Sequence, residues 1–240
     1  MKIACVIPAR LASTRLKDKM LLPINGKPLL WYTWSHTMKS RSDEVFIACD
    51  HIRIKQAMEA CKAKVILTST RHRSGTDRIG EVAAKKSFDY FINVQGDEPL
   101  IKFQIIDQVI DALKRSKKKI EILTVVKKIS DQKQIHDPSV VKAVLNKKKQ
   151  ALYFSRSPIP FDREHKGTPA YKHLGIYAYR RDVLLKIVKL KPSCLERTEK
   201  LEQLRWLENG YTLDVVETKY DTVSVDTRQD FLKVKKMIEK

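Results

Sequence analysis

Short runs rich in valine and isoleucine alternate with segments of helical spacing through the first half of the chain, and this alternation limits the fold more than any other feature. The apolar runs Lys2 to Ile7, Glu44 to Cys49 and Lys64 to Leu67 are separated by helical patterns from Leu29 to Lys39 and from Ile52 to Cys61. Strand, helix and strand in succession predict a parallel sheet covered on both faces. Pro28 suits the first turn of the helix holding Trp31 and Trp34, and Asp50 is placed to cap the helix holding Ala57 and Cys61. A helix from Thr76 to about Lys86 precedes a strand from Tyr90 to Val94. Ile106, Val109, Ile110 and Leu113 then form one face of a helix from Phe103 to Arg115.

After a run from Ile120 to Val126 the texture changes to paired extended segments, Ser139 to Leu145, Ala151 to Ser155 and Lys172 to Arg180, which read as antiparallel. Helices Arg181 to Leu190 and Leu195 to Glu208, a strand Thr212 to Val216 and a helix from Thr227 to Lys240 complete the chain. No repeat, linker or low-complexity stretch interrupts it. The expected architecture is therefore α/β: a Rossmann-like, mostly parallel sheet with helices on both faces and an antiparallel insertion. Residues 1–240 are expected to form one domain, with 151–180 as an insertion inside it, and 240 residues suffice for one such core.

Composition removes several function classes. Four scattered cysteines, Cys5, Cys49, Cys61 and Cys194, show no C-x-x-C spacing, which disfavours zinc and a disulfide framework. The opening apolar run is stopped by Pro8 and Arg10, too early for a signal core or a membrane span, so a cytoplasmic protein without membrane insertion is expected. Lys+Arg 48 against Asp+Glu 28 gives a net charge of +20. That charge invites a nucleic-acid-binding reading, but the lysine clusters at 117–119 and 147–149 carry no interleaved aromatics for base stacking. Surface lysine that attracts small polyanions is the plainer reading, and no nucleic-acid partner is expected.

Ligands of an open parallel sheet bind beyond the carboxyl ends of its strands. The first strand runs into Arg10, Ser13, Thr14, Arg15 and Lys19, two guanidinium forks and an ammonium beside hydroxyls, which suits a triphosphate. The alternative is an ordinary solvated basic loop. The loop matches neither G-x-G-x-x-G nor G-x-x-x-x-G-K-[ST], so a dinucleotide dehydrogenase and a P-loop NTPase lose support. Asp97 follows a second strand, where it suits a divalent metal or closes a turn on its own backbone. Asp226 follows the strand-like Val223 to Val225, and Asp226 to Gln229 spells a capping box, so it reads as a cap, a ligand or both. Strand alternation puts Leu174, Ile176 and Ala178 on one face and His173, Gly175, Tyr177 and Tyr179 on the other, which serves as core packing or as a pocket wall. Glu199, Glu202 and Gln203 fall at i, i+3 and i+4 of one expected helix.

Taken together, the segments Ile7-Pro8-Ala9-Arg10, Ser13-Thr14-Arg15-Leu16, Asn25-Gly26-Lys27-Pro28, Ser74-Gly75-Thr76-Asp77-Arg78, Asn93-Val94-Gln95-Gly96-Asp97-Glu98-Pro99, Ala151 to Arg156, His173 to Tyr177, Leu201 to Arg205 and Val225-Asp226-Thr227 resemble the 3-deoxy-manno-octulosonate cytidylyltransferase family over nearly the whole chain. The resemblance implies a nucleotidyltransferase-like fold and magnesium-dependent transfer of CMP from CTP to an eight-carbon sugar acid (Kdo), with pyrophosphate released, ahead of lipopolysaccharide assembly. A related nucleotidyltransferase for sialic acid, an amino-substituted Kdo or a simple sugar phosphate is the nearest rival. A glycosyltransferase of the GT-A type would want an Asp-x-Asp metal site, which Asp97-Glu98-Pro99 does not supply.

Residue by residue, the resemblance implies Arg10, Lys19, Asp97 and Asp226 as the catalytic set. Asp97 and Asp226 would hold magnesium, and Ala9, Arg10, Ser13, Lys19, Ser74 and Gln95 would hold the nucleotide. Arg15, Arg78, Gln95, Arg156, His173, Tyr177, Glu202 and Gln203 would meet the sugar acid. A homodimer is expected, with the strand edges of 151–180 covered by a second copy. This chain departs from the family's pattern at Lys17-Asp18, where Pro-Gly is usual, and in a short connection from Asp162 to Pro169.

Overall fold

The computed structural model describes residues 1–13, 15–164 and 166–239. Thr14, expected among the loop hydroxyls, His165 of the short connection and Lys240 at the expected end of the last helix lie outside the described residues. The first half comprises β1 (Ile3–Ala9), β2 (Pro23–Ile24), β3 (Lys27–Pro28), α1 (Leu29–Thr37), β4 (Glu44–Cys49), α2 (Ile52–Glu59), β5 (Lys64–Leu67), α3 (Gly75–Lys85), β6 (Tyr90–Asn93) and α4 (Phe103–Arg115), with a 3-10 turn over Lys19–Leu21. The second half adds β7 (Ile122–Lys128), α5 (Gln132–His136), β8 (Lys142–Leu145), β9 (Ala151–Ser155) and β10 (Tyr171–Arg180). The chain then forms α6 (Arg181–Ile187), α7 (Cys194–Glu199), α8 (Gln203–Glu208), β11 (Leu213–Glu217) and α9 (Arg228–Ile238).

The main sheet has the order β11, β7, β10, β6, β1, β4, β5. β4 and β6 flank β1 in parallel, β5 extends β4, and β11 pairs in parallel with β7. Only β10 on this path runs the other way, between β6 and β7, and it also carries the β8–β9 hairpin. The mostly parallel sheet with an antiparallel insertion is as the sequence predicts.

Side-chain alternation builds a core on each face. Ile3, Cys5 and Ile7 of β1 join Ile54 and Met58 of α2 and Ile105, Ile106, Val109 and Ile110 of α4. Ala4 and Val6 point the other way, toward Ile79 and Val82 of α3, Leu184 and Ile187 of α6, and Trp206 of α8. A third cluster joins Leu16, Leu29 and Tyr32 to Val225, Phe231 and Val234, so α9 packs on α1 and brings the chain at residue 226 back to the carboxyl edge of the sheet.

Several local expectations change. Pro28 is the N-cap of α1 and not its first helical residue. His51, and not Asp50, caps α2, its ring accepting the Arg53 N–H. The expected helix from Leu195 to Glu208 is two helices broken at Lys200, which sits in the left-handed region at φ 55°. Residues 223–225 form no strand; the Val225 N–H donates to the Asp97 carbonyl at 2.9 Å instead. Among the described residues no helix is long and apolar enough to cross a membrane.

Candidate active site at the carboxyl edge of the sheet

The loop after β1 and the turn after β6 meet at close quarters. A Cβ on Gly96 would lie 2.9 Å from the Pro8 carbonyl oxygen, so this approach requires glycine. The Thr33 hydroxyl donates to the Gly96 carbonyl at 3.0 Å and fastens the turn to α1. Between the two loops opens a cavity of about 320 Å³.

Lys19 lies at its centre. Its side chain is largely buried, and its Nζ donates to Asp97 Oδ2 at 2.6 Å and to Asp226 Oδ1 at 3.2 Å. Arg15 reaches the same Asp226 oxygen at 2.9 Å. The carboxylates are 129 positions apart in sequence, yet the Val225 to Asp97 backbone bond sets them side by side. Asp226 does not cap α9. Thr227 and Asp230 form that capping box, which leaves the Asp226 carboxylate to the cavity. Among the described residues no three His, Cys, Asp or Glu side chains gather to hold a metal ion. An ion at Asp97 and Asp226 would complete its shell from phosphate and water, the usual condition of magnesium.

Of the residues assigned from sequence, Ala9, Arg10, Ser13, Arg15, Lys19, Ser74, Arg78, Gln95, Asp97 and Asp226 line this cavity. Their states differ. No described residue pairs with the Arg10 side chain. The Arg78 guanidinium is already committed, to Asp50 Oδ2 at 3.1 Å and to the Thr68 hydroxyl, and is not a free carboxylate clamp. Ser74 caps α3, accepting the Asp77 N–H, and donates to Glu202 Oε1 at 2.8 Å. Gln95 Nε2 donates to the Gly175 carbonyl of β10 at 2.9 Å.

Arg156, His173, Tyr177, Glu202 and Gln203 do not line the cavity. The alternation in β10 is as predicted, but the face of His173 and Tyr177 is core. His173 sits between Phe154 and Tyr177 with Nε2 2.9 Å from the Thr124 hydroxyl, and burial pushes its pKa down to about 3. Burial likewise raises Tyr177 well above the usual tyrosine range. Arg156 donates to the carbonyls of Glu199 and Pro138. Glu199 turns away from Glu202 to accept from the Ser155 hydroxyl and the Arg156 N–H, because the break at Lys200 separates them. Glu202, its pKa raised by burial, accepts from the Ser74 and Thr76 hydroxyls at the start of α3. Gln203 is buried in α8.

Sequence reasoning missed His72 and Arg73, which line the cavity just ahead of the α3 N-terminus. Their signal was position: a cation beside a helix start at the carboxyl edge. His72 is held by Glu81 at 2.7 Å. Burial works against the Glu81 charge, yet Lys85, the Ser69 N–H and His72 hold its pKa down at about 2.

A Rossmann-like sheet whose edge cavity combines a basic, glycine-free loop with two facing carboxylates has the makings of a nucleotidyltransferase. The family described as Cytidylyltransferase matches residues 4–219. A 3-deoxy-manno-octulosonate cytidylyltransferase from Chlorobaculum parvum is 46% identical over 241 residues, covering 99% of this chain and 97% of that protein. One from Geotalea uraniireducens is 43% identical, with 100% of each covered. The solved structure of a CMP:2-keto-3-deoxy-manno-octonic acid synthetase complexed with CTP matches with a TM-score of 0.95 at 38% identity, over 100% of this chain and 99% of that one. The chain belongs to the cytidylyltransferase family, and within it to the 3-deoxy-manno-octulosonate cytidylyltransferases.

Proposed function

We propose that this chain transfers CMP from CTP to the anomeric hydroxyl of 3-deoxy-manno-octulosonate and releases pyrophosphate, in the cytoplasm, for lipopolysaccharide assembly. The observation that carries the chemistry is the Lys19 ammonium gripped between Asp97 and Asp226, with Arg10 beside it and unpaired among the described residues. The triphosphate lies along the loop of Ala9, Arg10 and Ser13, its charge met by Arg10 and Lys19, and Ser74 and Gln95 flank the nucleoside. Arg15 is the carboxylate partner of the sugar acid, with Gln95 beside it. Arg78 lines the cavity but is tied to Asp50, and Glu202 acts from behind by holding Ser74. Arg156, His173, Tyr177 and Gln203 lie off the cavity and are not assigned a contact with the sugar acid.

Asp97 and Asp226 would hold a magnesium ion, which when bound supplies charge stabilisation to the phosphate oxygens. The residues present fit it if the Lys19 ammonium, which bonds both carboxylates here, turns to the triphosphate, since two facing carboxylates and an open triphosphate side then make a hard-oxygen donor set. Reaction needs no covalent intermediate: the sugar hydroxyl attacks the α-phosphorus in line, while Lys19 and Arg10 stabilise the charge that moves onto the leaving pyrophosphate.

The edge of β9 opposite β8 and the exposed Leu152 and Phe161 support a homodimer formed through 151–180. The function is tested by pyrophosphate release from each nucleoside triphosphate with Kdo, an amino-substituted Kdo and sialic acid. CTP with Kdo is expected to turn over fastest; equal turnover with ATP or with a sugar phosphate acceptor refutes the reading.

A further inference from the structure

Two residues outside the cavity make locally unfavourable choices that are intelligible only together. Asp18 occupies the left-handed region at φ 51°, ψ 30°, a conformation that costs an L-residue and suits glycine. Arg53 lies in the first turn of α2, where the helix dipole disfavours a cation. The Arg53 guanidinium donates to Asp18 Oδ2 at 3.1 Å, so each offsets the other's cost. The opposite end of the same loop is fastened to the same junction: the Leu11 N–H donates to Asp50 Oδ1 at 2.9 Å, and Asp50 is held in turn by Arg78. The strand β4 and the helix α2 thus grip both ends of the loop from the side away from the cavity.

Asp18 also decides where Lys19 points. Its carbonyl accepts the Leu21 N–H at 2.8 Å and opens the 3-10 turn that begins with Lys19. We propose that Arg53 is a positioning residue for the phosphate loop, holding Asp18 in its left-handed turn so that Lys19 enters the cavity between Asp97 and Asp226. It touches neither substrate nor the reacting atoms. The proposal rests on the reading of this loop as the CTP site. A glycine in place of Asp18 would adopt the turn unaided and make Arg53 dispensable.

The test is a cycle of four proteins: the unmodified chain, Arg53→Ala, Asp18→Gly and the double variant. With the native Asp18, Arg53→Ala is expected to raise KM for CTP by about three-fold, the size of effect an exposed ion pair gives, with kcat, KM for the sugar acid and the melting temperature nearly unchanged. In the Asp18→Gly background, the same substitution is expected to change nothing. Equal rises in both backgrounds, no rise in either, or a rise confined to the sugar acid overturns the proposal. Hydrogen exchange of the loop amides on the same four proteins needs no substrate and separates this proposal from the CTP reading. Arg53→Ala should speed exchange at Leu21 and Leu22, whose N–H groups close the 3-10 turn on Asp18 and Lys19, by about three-fold beside the native Asp18 and leave it unchanged in the Asp18→Gly background. Exchange that ignores Arg53 in both backgrounds overturns the clamp even if CTP is the substrate.

Discussion

A buried ammonium shared by two carboxylates sets the electrostatics of the whole cavity. Lys19 places a cation within hydrogen-bond reach of both Asp97 and Asp226 and offsets the repulsion between them. Lys19→Met removes the cation shared by the two carboxylates and leaves Asp226 only its pair with Arg15. Turnover should fall by about two orders of magnitude, a loss of roughly 3 kcal/mol of transition-state stabilisation, visible as a lower kcat in pyrophosphate release. The neighbours Asp226 and Thr227 can be separated because the structure gives them different work. Asp226→Asn removes charge from the cavity but leaves the Thr227–Asp230 cap intact, so activity should fall about a hundred-fold while the melting temperature holds. Thr227→Ala should do the reverse, costing about 1 kcal/mol or roughly 2–4 °C in melting temperature with turnover near native. A melting loss for Asp226→Asn with normal turnover would return that residue to a capping role. Magnesium removal by a chelator should abolish turnover of the unmodified chain, and Asp97→Asn should need more magnesium for half-maximal rate than the native residue does. The Asp226 assignment was only half legible in sequence, since Asp226-Thr227-Arg228-Gln229 reads as a capping box led by Asp226, whereas the backbone places the cap one residue later, at Thr227.

At the scale of elements, β9 and α4 were readable to the residue, because an apolar, aromatic run after the lysine turn at 147–149 marks the one and helical spacing marks the other. The break between α7 and α8 was not, because a lysine at φ 55° leaves no glycine or proline to mark it. Residues 223–225 carry strand chemistry but find no strand partner, and pairing is a tertiary fact. The face of β10 was the costliest ambiguity. Alternation says which residues share a side, yet it does not say whether that side meets solvent or the helices α3 and α8. Here it meets helices, and His173 is held neutral in the fold with its pKa near 3, against 6.5 in the open chain. The unfolded chain therefore takes up a proton below pH 6.5 that the folded chain refuses. Stability from this group is complete above pH 6.5 and drains away as pH falls toward 3, by about 1.4 kcal/mol per pH unit. Between pH 7.5 and 5 the native chain should lose about 2 kcal/mol more than His173→Gln, read from urea midpoints at the two pH values. Equal losses would mean that His173 is protonated in the folded state.

For the molecule as a whole, the sheet order explains why the cavity and the insertion lie where they do. β1 and β6 are adjacent, so their carboxyl ends bring Arg10 and Asp97 to one edge, and α9 packing on α1 returns Asp226 to the same edge. β10 runs against its neighbours and carries β8 and β9 beyond the main path, so the sheet ends there on a strand paired on one side only. An unpaired strand edge is a template for another chain unless it is covered. On this strand and the loop after it, Leu152 is 58% exposed and Phe161 87% exposed, two large apolar side chains that the protomer leaves mostly open to solvent. The net charge of +20 opposes association of two copies, so contact must come from apolar area and backbone pairing, not from surface attraction. The unmodified chain should sediment as a dimer at micromolar concentration, more firmly at higher salt where the repulsion is screened. Leu152→Glu with Phe161→Glu places two carboxylates on each copy of that face and should give monomers that keep their secondary structure. Neither residue lines the cavity, so these monomers should still bind CTP. A native chain that sediments as a monomer removes the dimer outright, and a double variant that stays dimeric moves the interface away from 151–180.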